Sequence, residues 1–195
     1  MKSKILVSLL GCIGIAAQAS TTTYQVGDLI SGSYQPSTSF ATLAEATLDN
    51  KTFTFTLSAG DLAALFSKGA FIGVMAVDET GRRVLPGISA VNGGVASVTL
   101  SKGGGPGGGW DFRTGFGKGS DRLVGNETVT WTETFSAPVD LSRFALHVQG
   151  LTDKQGESAW YALSPVPEPG TYAMMLAGLG LIGVMARQRK ARQAG

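Results

Sequence analysis

The sequence predicts a mainly β protein: an antiparallel β-sandwich with one short helix, flanked by an N-terminal signal-peptide helix and a C-terminal transmembrane helix. Short segments in the middle of the 195-residue chain alternate apolar and polar side chains, as half-buried strands do. Gly-rich turns separate these segments, and no long helical pattern falls between them, which argues against a parallel βαβ sheet. The two remaining apolar runs lie at the chain ends.

Seven segments are predicted as strands. Residues 51–57, KTFTFTL, place Phe53, Phe55 and Leu57 on one face and threonines on the other. Residues 70–77, AFIGVMAV, form a continuous apolar run that indicates burial on both faces. The other predicted strands are 82–85 (as the hairpin partner of 70–77, after a turn at 78–81), 95–100, 127–135, 143–151 and 158–163.

One short helix is predicted after the first of these strands. Ser58-Ala59-Gly60-Asp61 resembles a capping box with Asp in place of Glu. Leu62, Leu65 and Phe66 follow at helical spacing, and Gly69 is suited to end the helix.

Residues 102–120, KGGGPGGGWDFRTGFGKGS, are predicted to form a long mobile loop, since nine of the 17 residues from 103 to 119 are glycine. The glycines at 103, 105 and 108 match G-x-G-x-x-G, but no helix follows to bind a pyrophosphate, so the match indicates no nucleotide site.

Residues 1–19 have the features of a secretory signal peptide. Lys2 and Lys4 precede an apolar run, and Ala17-Gln18-Ala19 is a cleavage pattern for signal peptidase, which makes Ser20 the first mature residue. The run of about 13 residues is shorter than the ~20 that span a bilayer. The alternative is a lipobox ending at Cys12. The residues after Cys12 are still apolar, which favours the secretory interpretation.

Residues 165–192 combine three prolines, an apolar run at 171–186 and a basic end. Pro165, Pro167 and Pro169 exclude a helix and keep the strip extended. The apolar run would form a helix of roughly 23 Å against roughly 30 Å of hydrocarbon, so it predicts a short transmembrane helix. The basic residues that stop and orient it on the cytoplasmic side are Arg187, Arg189, Lys190 and Arg192.

The order Val166-Pro167-Glu168-Pro169, Gly170, apolar helix and basic end resembles the PEP-CTERM sorting signal of Gram-negative bacteria. Gly170 stands where many members have Glu or Ser. The segment is also labelled an ice-binding-protein C-terminal domain, which by itself implies no ice binding. The resemblance covers about residues 165–190. It implies transient anchoring in the inner membrane, cleavage near Pro-Glu-Pro by an exosortase, and a product outside the cell, often where exopolysaccharide is made.

The net charge of +2 comes from the chain ends. Residues 20–164 contain ten Lys and Arg against thirteen Asp and Glu, a net of −3. The middle therefore lacks the basic face that nucleic-acid binding requires. It also contains no cysteine, because Cys12 lies in the signal peptide.

No catalytic or metal-binding motif is evident, so we expect no cofactor, no metal and no enzyme activity. His147 is the only histidine, on the strand face opposite its apolar neighbours, and nothing supplies a nucleophile for it. One histidine without a mature cysteine excludes the usual zinc sites. The acidic residues lack calcium-loop spacing; they are Asp111, Asp121, Glu127, Glu133, Asp140 and Asp153.

The aromatic side chains suggest one candidate ligand contact. Trp131, Trp160 and Tyr161 lie in predicted strands and are expected in the core. Trp110 lies in the Gly-rich segment and is the exposed aromatic residue best placed to stack on a sugar ring.

Together these features predict an exported, non-enzymatic surface or matrix protein with a structural, adhesive or glycan-binding role. Its processing partners would be signal peptidase and exosortase, and exopolysaccharide is a candidate ligand. Two alternatives stay open: a permanent single-pass membrane protein with a periplasmic β domain, and an exported hydrolase with an unrecognised carboxylate pair.

Overall fold

The computed structural model describes residues 19–80, 85–95, 97–152, 157–167, 174–182 and 185. Within these ranges the chain forms an antiparallel sheet, one short helix, α1 (Leu62–Leu65), and a helical segment at residues 174–182. The strands are β1 (Ser20–Ser31), β2 (Ala41–Thr47), β3 (Thr52–Ala59), β4 (Phe71–Thr80), β5 (Gly87–Gly93), β6 (Val98–Lys102), β7 (Phe112–Phe116), β8 (Leu123–Val124), β9 (Thr128–Thr134), β10 (Asp140–Gln149) and β11 (Ser158–Pro165). The mainly β prediction is confirmed.

The strands form one continuous sheet rather than two separate ones. Their order is β5-β9-β3-β2-β1-β11-β10-β4-β7-β6, with β8 paired to β4, and every pairing is antiparallel. The sheet folds over, because Phe55 of β3 contacts Phe144 of β10 at 6.1 Å between ring centroids. In the same way, the rings of Phe116 in β7 and Trp131 in β9 lie 5.1 Å apart.

The core lies between the two halves of this folded sheet. Strands β3 and β9 alternate buried and outward residues, as their sequences predict. Trp131 and Tyr161 are both fully buried, in agreement with the prediction. On the outer face, threonines pair across the strands, with 3.1 Å between the hydroxyls of Thr56 and Thr130. This cross-strand pairing stabilises the sheet.

The short helix is confirmed, but its predicted cap is wrong. Asp61 is the N-cap residue, and its Oδ1 accepts a hydrogen bond from the Ala64 amide at 3.0 Å. Ser58 belongs to β3, opposite Thr128 of β9. The strand therefore continues through the first part of the expected capping box.

The predicted hairpin partner of residues 70–77, at 82–85, falls mostly on residues outside the described ranges, but the turn predicted at the tip of this hairpin is wrong. Residues 78–80, expected as a turn, continue β4 and pair with the first residues of β10. Residues 82–84 lie outside the described ranges. The next described strand, β5, pairs with β9 and not with β4.

The long loop predicted at 102–120 is interrupted by β7. Phe112 and Phe116 are each 1% exposed, and they alternate with outward residues. β7 pairs with β4 on one side and β6 on the other. The period-two pattern FRTGF thus outweighs the glycine content.

The predicted N-terminal helix falls outside the described residues, and the predicted C-terminal helix is described in part. Residues 1–18, which contain most of the signal peptide, are not described. Residues 174–182 of the predicted transmembrane helix are helical, and their large apolar side chains are exposed. Among the described residues, no helix combines the length and the apolar character needed to cross a bilayer.

Candidate functional site

The sheet ends at the sorting motif that the sequence predicts. β11 lies between β10 and β1, and its alternate residues Ala159, Tyr161 and Leu163 point into the core. Its last residue, Pro165, lies opposite Tyr24 of β1. The next amide, that of Val166, still donates a 2.7 Å hydrogen bond to the carbonyl of Thr23. Sheet hydrogen bonding therefore continues to the first residue of the motif.

Pro165 and Pro167 determine which edge of the strip formed by residues 165–167 can donate hydrogen bonds. In an antiparallel ladder every second residue faces a given neighbour. Since the Val166 amide faces β1, the nitrogens of Pro165 and Pro167 face away from β1, and proline has no N–H to donate. The strip thus pairs with β1 and offers no donor to another strand on its opposite edge, which protects an exposed edge from unwanted pairing.

The predicted first mature residue and the start of the predicted sorting motif lie at the same end of the sheet. Ser20 is the first residue of β1 and lies opposite Thr47 at the end of β2, with Ala19 exposed just before it. We call this end the sorting pole; it consists of Ser20, residues 48–51, residues 135–139 and Val166. The opposite end, the distal pole, consists of residues 32–40, α1 and residues 150–152.

Several predicted site residues cannot be placed. Val166 is half-buried and Pro167 is exposed. The remaining residues lie outside the described ranges; they are Ala17, Glu168, Pro169, Arg187, Arg189, Lys190 and Arg192.

Comparison with protein families identifies the segment that follows β11. Residues 165–190 match the model of the PEP-CTERM protein-sorting motif. The chain carries the PEP-CTERM motif. This match is limited to the C-terminal segment, and comparison with curated proteins and with solved structures gives no match. The PEP-CTERM motif indicates an exported protein that exosortase processes, with a cell-surface or extracellular destination.

A shallow cleft lies at the sorting pole, lined by Ala19 and by residues of β2, β3 and the loop between them. The cleft has a volume of about 380 Å³. Its lining consists mainly of alanine and threonine side chains, together with Asp49 and with Leu48, which is 67% exposed. Neither histidine nor cysteine is among its described lining residues.

Trp110, the candidate ligand contact outside the PEP-CTERM segment, is buried, so its expected exposure is wrong. It is 7% exposed, and its Nε1 donates a 3.0 Å hydrogen bond to the carbonyl of Pro106. The ring covers Ala76 and Ala145 on the outer face of the sheet. The small alanines leave a space there that the indole fills, and the Gly-rich loop folds back to place it.

Arg143 places a cation beside the outer cluster, which consists of Trp110, Ala76 and Ala145. The guanidinium of Arg143 lies 4.8 Å from the centre of the Trp110 ring, and its Nε donates a 2.8 Å hydrogen bond to Asp78. Trp160, expected in the core, instead packs against the outer cluster and stacks on His147 with ring centres 4.3 Å apart. Burial lowers the pKa of His147. This histidine therefore has a packing role that accounts for its position.

Glu133 is the most unusual polar residue of the sheet, and the alternation of β9 already places it on the same face as Trp131. It is fully buried, and its Oε1 accepts hydrogen bonds from Trp131 Nε1 at 2.8 Å and from Thr114 Oγ1 at 2.9 Å. Its Oε2 has no hydrogen-bond partner among the described residues. Burial raises the pKa of Glu133 to about 7. The carboxyl is a core group that no substrate reaches in this conformation.

Glu45 and Glu79 are also buried, at 9% and 6% exposed, and neither was singled out from the sequence; Glu45 has the clearer contacts. Its carboxyl accepts a 2.9 Å hydrogen bond from the hydroxyl of Tyr24. Burial raises the pKa of both Tyr24 and Glu45. Within the described residues, no group of three or more His, Cys, Asp or Glu side chains is arranged to hold a metal ion.

Proposed function

We propose that this protein is a non-enzymatic component of the cell surface or extracellular matrix of a Gram-negative bacterium, released from the inner membrane by exosortase. We class its folded sheet as a β-sandwich. In this proposal signal peptidase cuts before Ser20, residues 171–186 hold the domain in the membrane, and exosortase cuts near Pro167-Glu168-Pro169.

One observation carries the proposal: the sheet ends where the sorting motif starts. Val166 makes the last hydrogen bond to β1, so a cut beyond it removes no strand. At the other end, Ser20 is both the predicted first mature residue and the first residue of β1. Both cuts would therefore leave the complete folded domain, which is what processing of a functional exported protein requires.

The test is the intact mass of the mature protein in the native host, with and without its exosortase. The parent chain should begin at Ser20 and end near Pro169. A variant with Pro167, Glu168 and Pro169 all replaced by Ala should keep Arg187 and the residues after it. The matched control is Pro138→Ala, which removes an exposed proline from a loop outside the motif. Retention of the C-terminus by the parent in cells with active exosortase would support the permanent membrane anchor instead.

The role outside the cell is proposed as structural, adhesive or glycan-binding. The three buried carboxyls, Glu45, Glu79 and Glu133, are each at most 9% exposed, which supports a binding or structural role over a hydrolase. The half-buried Trp160 is the accessible member of the outer aromatic cluster, so Trp160→Ala should weaken retention on the host's exopolysaccharide. Retention of the Trp110→Ala variant on the same exopolysaccharide is measured in parallel. Shortening of the polysaccharide by the purified domain would favour the hydrolase alternative.

A further inference from the structure

Both apolar ends of the chain attach to the sorting pole. β1 starts at Ser20, directly after the predicted signal segment, and β11 ends at Pro165, the first residue of the segment that matches the sorting motif. The two strands are antiparallel neighbours, so the chain enters the sheet at the same end from which it leaves. Thr23 accepts the hydrogen bond from Val166, and it lies three residues after Ser20, so the attachment points are about 10 Å apart.

The charges of the two ends agree with this arrangement. Lys2 and Lys4 precede the first apolar run, and the basic residues from Arg187 onward follow the second. In each case the basic cluster lies on the side of the run that is remote from the sheet. Because basic flanks stay on the cytoplasmic side, both runs place the sheet outside the inner membrane.

The chain between the sheet and the second apolar run is short. Residues 167–170 are all that separates Val166 from the run at 171–186, and four extended residues span at most about 14 Å. By comparison, β4 and β10 contain 10 residues each. A strand of that length extends for about 33 Å. The tether is thus shorter than the domain, and it emerges from one pole.

From this geometry we infer that the sorting pole of the precursor faces the lipid headgroups of the inner membrane and that the distal pole points away from them. The inference rests on the proposed function, because it requires residues 171–186 to enter the membrane. It adds a defined interaction surface, made of Ser20, residues 48–51, residues 135–139 and Val166, whose partner is the bilayer surface.

The test compares two matched labels on the full-length chain in a Cys12→Ser background. Ser136→Cys lies at the sorting pole and Ser37→Cys at the distal pole, and both serines are exposed. Each variant is labelled with a fluorophore in right-side-out membrane vesicles that carry a quencher on their outer headgroups, from cells without exosortase. Because the poles are about 30 Å apart, we expect quenching at position 136 to be roughly twofold or more above that at position 37.

Two results would overturn the inference, and they are distinguishable. If the precursor floats with the vesicles but both labels are quenched equally, or position 37 more strongly, the orientation is wrong while the anchor stands. If the precursor does not float with the vesicles, the anchor in the proposed function fails and the orientation fails with it. Thermal unfolding followed by circular dichroism verifies that both labelled variants are folded.

Discussion

At the scale of single residues, the buried carboxyl of Glu133 has the clearest energetic consequence. Two donors, Trp131 and Thr114, satisfy one of its oxygens, and burial raises its pKa to about 7. The same carboxyl in the unfolded chain titrates near its ordinary value of 4.5. Folding therefore binds a proton between these two pKa values, and the stability of the domain must depend on pH there.

We predict that Glu133→Gln removes a pH-dependent loss of stability. Because folding raises its pKa, the Glu133 carboxyl contributes fully to the free energy of unfolding below pH 4.5. This contribution falls as the pH rises toward 7 and does not change further above that pH. The total decrease in the free energy of unfolding is about 3 kcal/mol. Urea unfolding from pH 4 to pH 9 should show this fall in the parent and a flatter profile in Glu133→Gln. The control is the exposed Glu157→Gln, whose profile should follow the parent. A parent-like slope in Glu133→Gln would show that another group binds the proton.

A second prediction concerns the position of Trp110. A Cβ at Gly105 would overlap the Trp110 indole, whereas one at Gly69 would make only an ordinary contact, at 3.7 Å. Gly105→Ala should therefore displace the ring and lower the free energy of unfolding by about 1–3 kcal/mol, the usual cost of overpacking. Gly69→Ala should change it by no more than about 0.5 kcal/mol. Urea unfolding followed by tryptophan fluorescence measures both. Equal stability of the two variants would contradict the described packing.

At the scale of secondary-structure elements, the sequence identifies the strands whose inward residues are large and apolar. The alternation in β3 and β9 is of this kind. β2 has Glu45 among its buried positions and alanines at its half-buried ones, and β1 contains polar residues and two register shifts, so neither gives a clear pattern. The glycines on both sides of β7 led the sequence analysis to predict a loop there. The sorting motif can be recognised from the sequence because its residues are consecutive. Its pairing with β1 cannot, because that pairing joins segments far apart in the chain, which no local pattern predicts.

The place of β11 in the sheet predicts where the chain can be cut. A chain ending at Pro167 keeps every strand and should unfold at the same temperature as the chain ending at Gly195. A chain ending at Glu157 loses the buried Ala159, Tyr161 and Leu163 and leaves the facing edges of β1 and β10 unpaired, so it should not fold cooperatively. Thermal unfolding followed by circular dichroism distinguishes them. Cooperative unfolding of the shorter chain would mean that β11 is dispensable.

At the scale of the whole molecule, the apolar and basic residues at the two ends are those that the proposed processing removes, and thirteen of the 14 acidic residues lie in the domain. The precursor has 16 Lys and Arg against 14 Asp and Glu. Removing residues 1–19 takes away Lys2 and Lys4, which leaves 14 against 14. A second cut before Glu168 takes away that residue and the four basic ones, which leaves ten against thirteen. Each processing step therefore lowers the net charge.

We predict that isoelectric focusing separates the three species in the order of processing. The precursor, with a pI near 8.8, should focus as a basic protein, the chain without its signal peptide close to neutrality, and the final product as an acidic protein. Cells without exosortase should accumulate the near-neutral form, and so should the triple alanine variant of Pro167, Glu168 and Pro169 after correction for its lost carboxyl. Mass spectrometry of each band verifies the two ends. An acidic band that persists without exosortase would show that another protease makes the second cut, and a near-neutral band that persists with it would establish a permanent anchor.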